Sequence, residues 1–197
     1  MSVQIYENII SNKEIKAIIK WMSFKDNYII PRKDLWLKTG FDWHKDDWPK
    51  KWVLNILKKV NVDSFPKSIF FSVLNYNLDI HTDTEFGKRH HKHIIIPLEV
   101  KSTAHTIIFD NKWYDKSFQL TNNNRHLVEN YKPGLAFDRT IHKLYLSHFD
   151  YSLLEGLSIK EIYEWKVGSV CVFDSQYLHT NATLNLSKKA INIWTII

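Results

Sequence analysis

Ile69-Phe70-Phe71-Ser72-Val73-Leu74-Asn75-Tyr76 runs directly into Asn77-Leu78-Asp79-Ile80-His81-Thr82-Asp83, and the fold is read outward from this stretch. The first eight residues are almost continuously apolar, which suits a strand buried on both faces. Asn77-Leu78-Asp79 reads as a short turn. Beyond it, extended backbone alternates its side chains, so His81 and Asp83 share one side of the chain. Two ligand-type side chains therefore stand together just past the end of a buried strand.

Downstream, further strands are predicted at Ile94–Val100 and His105–Phe109, joined by a hairpin-like link at Lys101-Ser102-Thr103. Pro97 lacks a backbone donor and makes its strand an edge or a bulge at that point. Ile159–Trp165 and Ser169–Phe173 are strands separated by a Lys166-Val167-Gly168 turn, and the bend Asp174-Ser175-Gln176 leads to Leu178-His179-Thr180. Lys188–Ile196 is the last strand. Upstream, Val3–Ile10 is an entry strand, and Ser11-Asn12-Lys13-Glu14 has capping-box spacing ahead of Ile15, Ile18, Ile19 and Met22, which predicts a helix from about Asn12 to Trp21. Residues 25–51 read as irregular, wrapping the core as loop and short strand. A second helix covers Trp52–Val60 or begins nearer Asp47.

The chain is expected to form one domain over residues 1–197, with 1–67 as a helical N-terminal support and 68–197 as a β core interrupted at about 111–158. Short strands after a helical start predict a mainly β protein, a sandwich or barrel with helices packed outside.

Composition narrows the function classes. A net charge of +6 is mild, and no basic run is long enough to indicate nucleic acid. The densest, Lys88-Arg89-His90-His91-Lys92-His93, reads as a solvated loop or as an anion-attracting rim. The single cysteine, Cys171, excludes an internal disulfide and lies in an apolar run, where it reads as a small buried residue. The N-terminus has no signal-peptide pattern and no segment is apolar for long enough to cross a bilayer, so a cytoplasmic protein with no membrane partner is expected.

An H-x-D pair is a weak signal in a chain with ten histidines. Its weight grows with His179, which follows a second strand. Two imidazoles and one carboxylate form the facial triad of non-haem Fe(II) centres, which leaves three positions open. Nine residues after His179, Lys188 opens a strand on which it shares a face with Ala190, Asn192 and Trp194, while Lys189 shares the other with Ile191 and Ile193. A cation on the inner face of a barrel is unfavourable unless an anion meets it. A dicarboxylate held at the metal by its other end would be such an anion.

These residues, His81-Thr82-Asp83, the run Lys166 to Asp174 leading to Leu178-His179, and Lys188 to Thr195, resemble the Fe(II)/2-oxoglutarate-dependent dioxygenase superfamily, in particular its small prolyl-hydroxylase-like members. Ile5 to Ile19 is similar to the family's entry segment. The resemblance implies a double-stranded β-helix (jelly-roll, cupin-like) with His81, Asp83 and His179 on Fe(II). It implies 2-oxoglutarate and O2 as co-substrates, with Lys188 on the far carboxylate of 2-oxoglutarate and Lys189 as the competing assignment. Tyr76 or Asn75 would correspond to the residue that contacts the co-substrate upstream of H-x-D, and Trp194 to a wall of the iron pocket. The implied reaction is hydroxylation of a small-molecule or peptidyl substrate with release of succinate and CO2. Two alternatives stay open: a cupin-like metal protein that does not use 2-oxoglutarate, and a non-catalytic β-sandwich module whose basic rim holds an acidic partner. The segment 111–158 has no counterpart in the resemblance. In it His142, His148 and Asp150 read as surface or packing residues or as part of a substrate entrance.

Overall fold

Alternating burial along the strands sorts the chain into two antiparallel sheets. The structure, a computed structural model, describes residues 3–23, 29–31, 37–40, 47–74, 76–83, 92–115, 117–183 and 188–196. In chain order the elements are β1 (Gln4–Tyr6), α1 (Asn12–Ser23), β2 (Ile29–Pro31), β3 (Leu37–Gly40), α2 (Asp47–Lys59), β4 (Phe65–Leu74), β5 (His81–Thr82), β6 (Lys92–Val100), β7 (His105–Lys112), β8 (Phe118–Gln119), α3 (Arg139–Tyr145), α4 (Tyr151–Leu154), β9 (Ile159–Glu164), β10 (Val170–Asp174), β11 (Tyr177–Asn181) and β12 (Lys188–Ile196). One sheet has the order β1-β10-β6-β12-β4-β3-β2 and the other β8-β5-β11-β7-β9. From β4 onward the chain passes back and forth between them, as in a jelly roll.

Each face of the larger sheet has its own partner. Ile94, Ile96, Val170, Val172, Ile191 and Ile193 pack outward against Ile15, Ile18, Val53 and Ile56 of the two helices. Full burial of one such aliphatic side chain stabilises by about 1.5–3 kcal/mol. The intervening residues Ile95, Cys171, Phe173 and Ala190 turn inward and meet Ile108, Tyr163 and Tyr177 of the smaller sheet. The outer face of that sheet, with Ile107, Phe109 and Leu178, is covered by Val128, Phe137, Leu146 and Leu154 from the 111–158 segment.

The α1 capping box forms: the Ser11 backbone N–H donates to Glu14 Oε2 at 2.8 Å, and the Glu14 N–H donates to Ser11 Oγ at 3.3 Å. The carboxyl of Glu14 is held below its usual range by these bonds to Ser11. Gly168 has φ +87°, and a Cβ there would lie 2.7 Å from the Ile10 carbonyl oxygen. That carbonyl's neighbours are fixed in turn, since the Ile9 and Ile10 N–H groups both donate to the Gly168 oxygen. Among the described residues, no helix is long and apolar enough to cross a membrane.

One local expectation needs correction. Lys101-Ser102-Thr103 is no hairpin: β6 pairs with β10 and β12, β7 pairs with β9 and β11, and the link carries the chain from one sheet to the other. Lys166-Val167-Gly168 is the expected turn, with the Ser169 N–H donating to the Lys166 carbonyl at 3.0 Å, and it too carries the chain from one sheet to the other, from β9 to β10. Strand periodicity is local and is identical whether the next strand pairs alongside or across the sandwich. Of the two alternatives for Pro97, edge or bulge, the structure has the bulge: the strand is central, and Lys189 pairs with Glu99 but Ala190 with Pro97, so Leu98 is passed over. The short strand expected within 25–51 is present as β2 and β3, which extend the larger sheet at its edge.

Candidate metal centre and cavity

The metal-type residues come from two neighbouring strands of the smaller sheet. His81 on β5 is directly opposite His179 on β11, with ring centroids 4.5 Å apart. His179 therefore stands inside a strand rather than at a bend. Asp83 follows β5, where its N–H donates to the Ser175 carbonyl at 3.3 Å. The loop before His81 is tied to β11 as well: the Leu78 N–H donates to Asn181 Oδ1 at 2.6 Å, and Thr180 Oγ1 donates to the Leu78 carbonyl at 2.6 Å. Thr82 faces away, buried, and its Oγ1 accepts the Phe118 N–H at 3.2 Å.

Asp83 sits between imidazoles. Its Oδ2 is 3.0 Å from His179 Nε2, its Oδ1 is 3.8 Å from His81 Nε2, and the ligand atoms of the three residues all lie within 4.8 Å of one another. The tautomers follow from the backbone. His81 Nδ1 is 2.7 Å from the Asp79 carbonyl and His179 Nδ1 is 3.0 Å from the Tyr177 carbonyl. A carbonyl only accepts, so each Nδ1 carries a proton, and Nε2 is the ring nitrogen turned toward Asp83. Burial, with His179 adding to it, lowers the pKa of His81 and favours the neutral ring. Burial would raise the carboxyl of Asp83, but hydrogen bonding and charge from His179 and His93 hold it well below its usual range. Neutral imidazoles and an ionised carboxylate are the states that bind a divalent ion, and anchored Nδ1–H groups are the usual outer support of metal-bound histidines. The donor set fits a metal ion.

These residues open on a cavity of 840 Å³ that also reaches Tyr76, Phe118, Trp165, Lys188 and Trp194. Lys188, the first residue of β12, is 1% exposed. Its Nζ lies 3.9 Å from the centre of the Trp165 ring and has no hydrogen-bond partner among the described residues. Burial pulls its pKa down from 10.5 to about 7. Lys189 takes the other face and donates to Glu99 Oε2 at 3.0 Å. Tyr76 is half-buried on the cavity wall, and Trp194 packs edge-on against Phe70 with centroids 4.8 Å apart. Asn75 lies outside the described residues.

The structure corrects the reading of the basic run where it describes it. His93 is buried at the start of β6 with Nδ1 3.0 Å from Asp83 Oδ2, and Lys92 is paired with Asp174. Neither belongs to a solvated loop, and residues 88–91 lie outside the described residues. Sequence reasoning missed His93, although starting the Ile94–Val100 strand two residues earlier places it on the inward face with Ile95. It also passed over Trp165, whose role depends on a strand distant in sequence. His142 and His148 are committed elsewhere, to the Phe149 carbonyl at 3.0 Å and to Thr183 Oγ1 at 2.9 Å, and Asp150 caps α4. Cys171 is fully buried, its thiol pushed upward by that burial.

No protein-family model and no curated protein sequence matches the chain. Solved structures do. A Pseudomonas putida prolyl-4-hydroxylase is similar at 8% identity and TM-score 0.54, over 99% of this chain and 92% of that one. The epimerase SnoN, in complex with Fe3+, α-ketoglutarate and nogalamycin RO, is similar at 7% identity and TM-score 0.59, over 99% and 78% of the two chains. HygX from Streptomyces hygroscopicus, with nickel and 2-oxoglutarate bound, is similar at 9% identity and TM-score 0.59, over 99% and 82%. The chain thus has the jelly-roll fold shared by iron- and 2-oxoglutarate-dependent oxygenases.

Proposed function

We propose that this protein is an Fe(II)- and 2-oxoglutarate-dependent oxygenase acting on a small molecule, with hydroxylation as its reaction. One observation carries the reading. Two histidines on paired strands, and a carboxylate just after one of those strands, open on the same cavity as a buried lysine whose ammonium has no hydrogen-bond partner among the described residues. A metal triad alone suits many proteins, and so does a buried lysine alone. Together they match a co-substrate that is a chelating 2-oxo acid at one end and a carboxylate at the other.

His81, Asp83 and His179 would hold the iron, and Lys188 would pair with the far carboxylate. When bound, iron and 2-oxoglutarate supply the oxidising power of O2, with succinate and CO2 as by-products and an oxidised substrate as product. The protein contributes binding and orientation. The Asp79 and Tyr177 carbonyls fix the rings of His81 and His179, and Trp165 supports the lysine with its π face. Lysine makes a point-charge contact where arginine would make a two-pronged one, so the carboxylate is held by charge and burial more than by directional bonds. Tyr76 and Trp194 line the remaining wall, and substrate would enter over Phe118 and Gln119. The whole of 1–197 acts as one oxygenase domain in this reading, with 1–67 as support and the 111–158 cover behind the smaller sheet. HygX and SnoN are solved with hygromycin B and nogalamycin RO, which supports a small-molecule substrate here.

Anaerobic addition of Fe(II) and then 2-oxoglutarate is the test. The expected result is the weak visible charge-transfer band of the chelate, followed by succinate release on admission of oxygen. Metal binding without the band would favour a cupin-like metal protein, and neither signal would leave a binding module.

A further inference from the structure

A lysine side chain is long enough to bury its methylenes and return its charge to water. Lys188, at the very start of β12, does not do so and is 1% exposed. Its neighbours in the two pairings of β12 are apolar, Leu74 on β4 and Val100 on β6. Nζ has no hydrogen-bond partner among the described residues, and what stands against it is the ring of Trp165, with its centroid at 3.9 Å. Trp165 is itself fixed at two points. It follows β9 directly, and its backbone N–H donates to the Ala104 carbonyl at 2.8 Å. Two residues further along, Thr106 on β7 accepts the indole Nε1–H through Oγ1, again at 2.8 Å. Trp165 is 6% exposed and Thr106 4%, so water does not compete for the indole bond. Both anchors lie on one short stretch of chain, and the π face of the ring is left for the ammonium.

We propose that Trp165 is the positioning residue for the carboxylate end of the cavity: it keeps the Lys188 ammonium inside, and Thr106 keeps the indole in place. The inference rests on the reading of Lys188 as the partner of the far carboxylate. An aromatic face attracts a cation through its quadrupole without neutralising it. An aspartate or glutamate at this place would pair with the ammonium permanently and leave no charge for a dicarboxylate. A purely aliphatic wall would let the side chain turn out to water. The ring thus holds the cation and leaves it available. The contact also joins the two sheets, since β12 belongs to the larger and β7 and β9 to the smaller. Thr106 is directly opposite Asn181 of β11, the strand that carries His179. The strand that fixes the indole is therefore paired with a strand of the metal group, which sets the cation in register with it.

Two measurements on Trp165→Leu, Trp165→Phe and Thr106→Val test the proposal. The first needs neither metal nor co-substrate: reductive methylation of the metal-free protein, with Lys188 followed by peptide mass spectrometry. Lys188 should be protected in the parent and largely protected in Trp165→Phe, which keeps a π face. In Trp165→Leu, which keeps only apolar bulk, it should react about 5- to 30-fold faster, the shift expected on loss of a desolvated cation–π contact. Thr106→Val should expose Lys188 in the same direction, because the indole loses the bond that orients it. The second measurement is titration of 2-oxoglutarate into the Ni(II)-loaded proteins. Trp165→Leu should bind it about 5- to 30-fold more weakly, and Trp165→Phe should recover most of that loss. Ni(II) affinity should stay at the parental value in all three, since the metal residues stand on or beside β5 and β11. Equal methylation of Lys188 in the parent and a folded Trp165→Leu overturns the inference. Equal effects of leucine and phenylalanine overturn it too, because bulk and not the π face would then hold the lysine. A fall in Ni(II) affinity that matches the loss of 2-oxoglutarate overturns it as well, as the mark of a general structural defect. If Trp165→Leu does not fold, parent-like protection of Lys188 in Thr106→Val overturns it. A parent that binds Ni(II) but not 2-oxoglutarate strikes the co-substrate reading, while the methylation result still decides what holds the ammonium.

Discussion

Replacing Lys188 with methionine should make the protein more stable while abolishing its affinity for 2-oxoglutarate. The apolar stem is kept and the buried ammonium is removed. A fall in pKa from 10.5 to about 7 corresponds to about 5 kcal/mol of differential burial, at about 1.4 kcal/mol per pH unit. At pH 7 the folded group is half charged while the unfolded one is fully charged, which puts the penalty on the folded state at about 4 kcal/mol. The Trp165 face returns up to about 2 kcal/mol of this. The variant should therefore gain about 2–4 kcal/mol at pH 7, equivalent to roughly 10 °C in Tm for a chain of this size. The sign of the pH dependence is set by proton binding. Between about pH 7 and 10.5 the unfolded parent holds the proton that the folded parent has released, so parental stability rises with pH over that window. The variant lacks this rise, so the gap should narrow to about 2 kcal/mol or less at pH 9 and approach zero by 10.5. Thermal and urea denaturation of the metal-free proteins across pH 6–10 measure the gap, and isothermal titration measures the loss of co-substrate binding. A variant no more stable than the parent at pH 7, or a gap independent of pH, would refute the claim that Lys188 is a strained cation awaiting an anion.

Other outcomes follow from the same geometry. His179→Ala should abolish stoichiometric Fe(II) binding, since it leaves one imidazole and one carboxylate; iron analysis after desalting checks this. Lys188→Ala should weaken 2-oxoglutarate far more than Lys189→Ala, whose partner Glu99 lies on the outer face; a reversed order in a succinate-release assay would exchange their roles. Lys189→Ala itself should cost at most about 1 kcal/mol of stability by urea denaturation, as for other surface ion pairs. Gly168→Ala should destabilise by about 1–3 kcal/mol, because φ +87° is strained for alanine and its Cβ would meet the Ile10 carbonyl; an unchanged denaturation midpoint would show that the turn can relax.

Much of this protein was legible before any coordinates. The α1 capping box, the strand at 69–74 and the alternation of β12 are properties of a few consecutive residues, because hydrogen bonds and side-chain directions within one element are set locally. That alternation already separated Lys188 from Lys189, and the structure puts the first in the cavity and the second on Glu99. What a strand pairs with is not local. The link at 101–103 looks like a hairpin in sequence and becomes a crossing between sheets, since the choice depends on which apolar faces must be covered elsewhere. The same limit hid His93. In sequence it closes a basic run; in the fold it is drawn inward by a central strand and meets Asp83, Asn192 and Phe173 from other strands. The candidate metal-binding residue types and their order were thus determined by the chain itself. That His93 stands beside Asp83, and that the lysine lies over Trp165 with no hydrogen-bond partner among the described residues, were decided only when distant strands packed together.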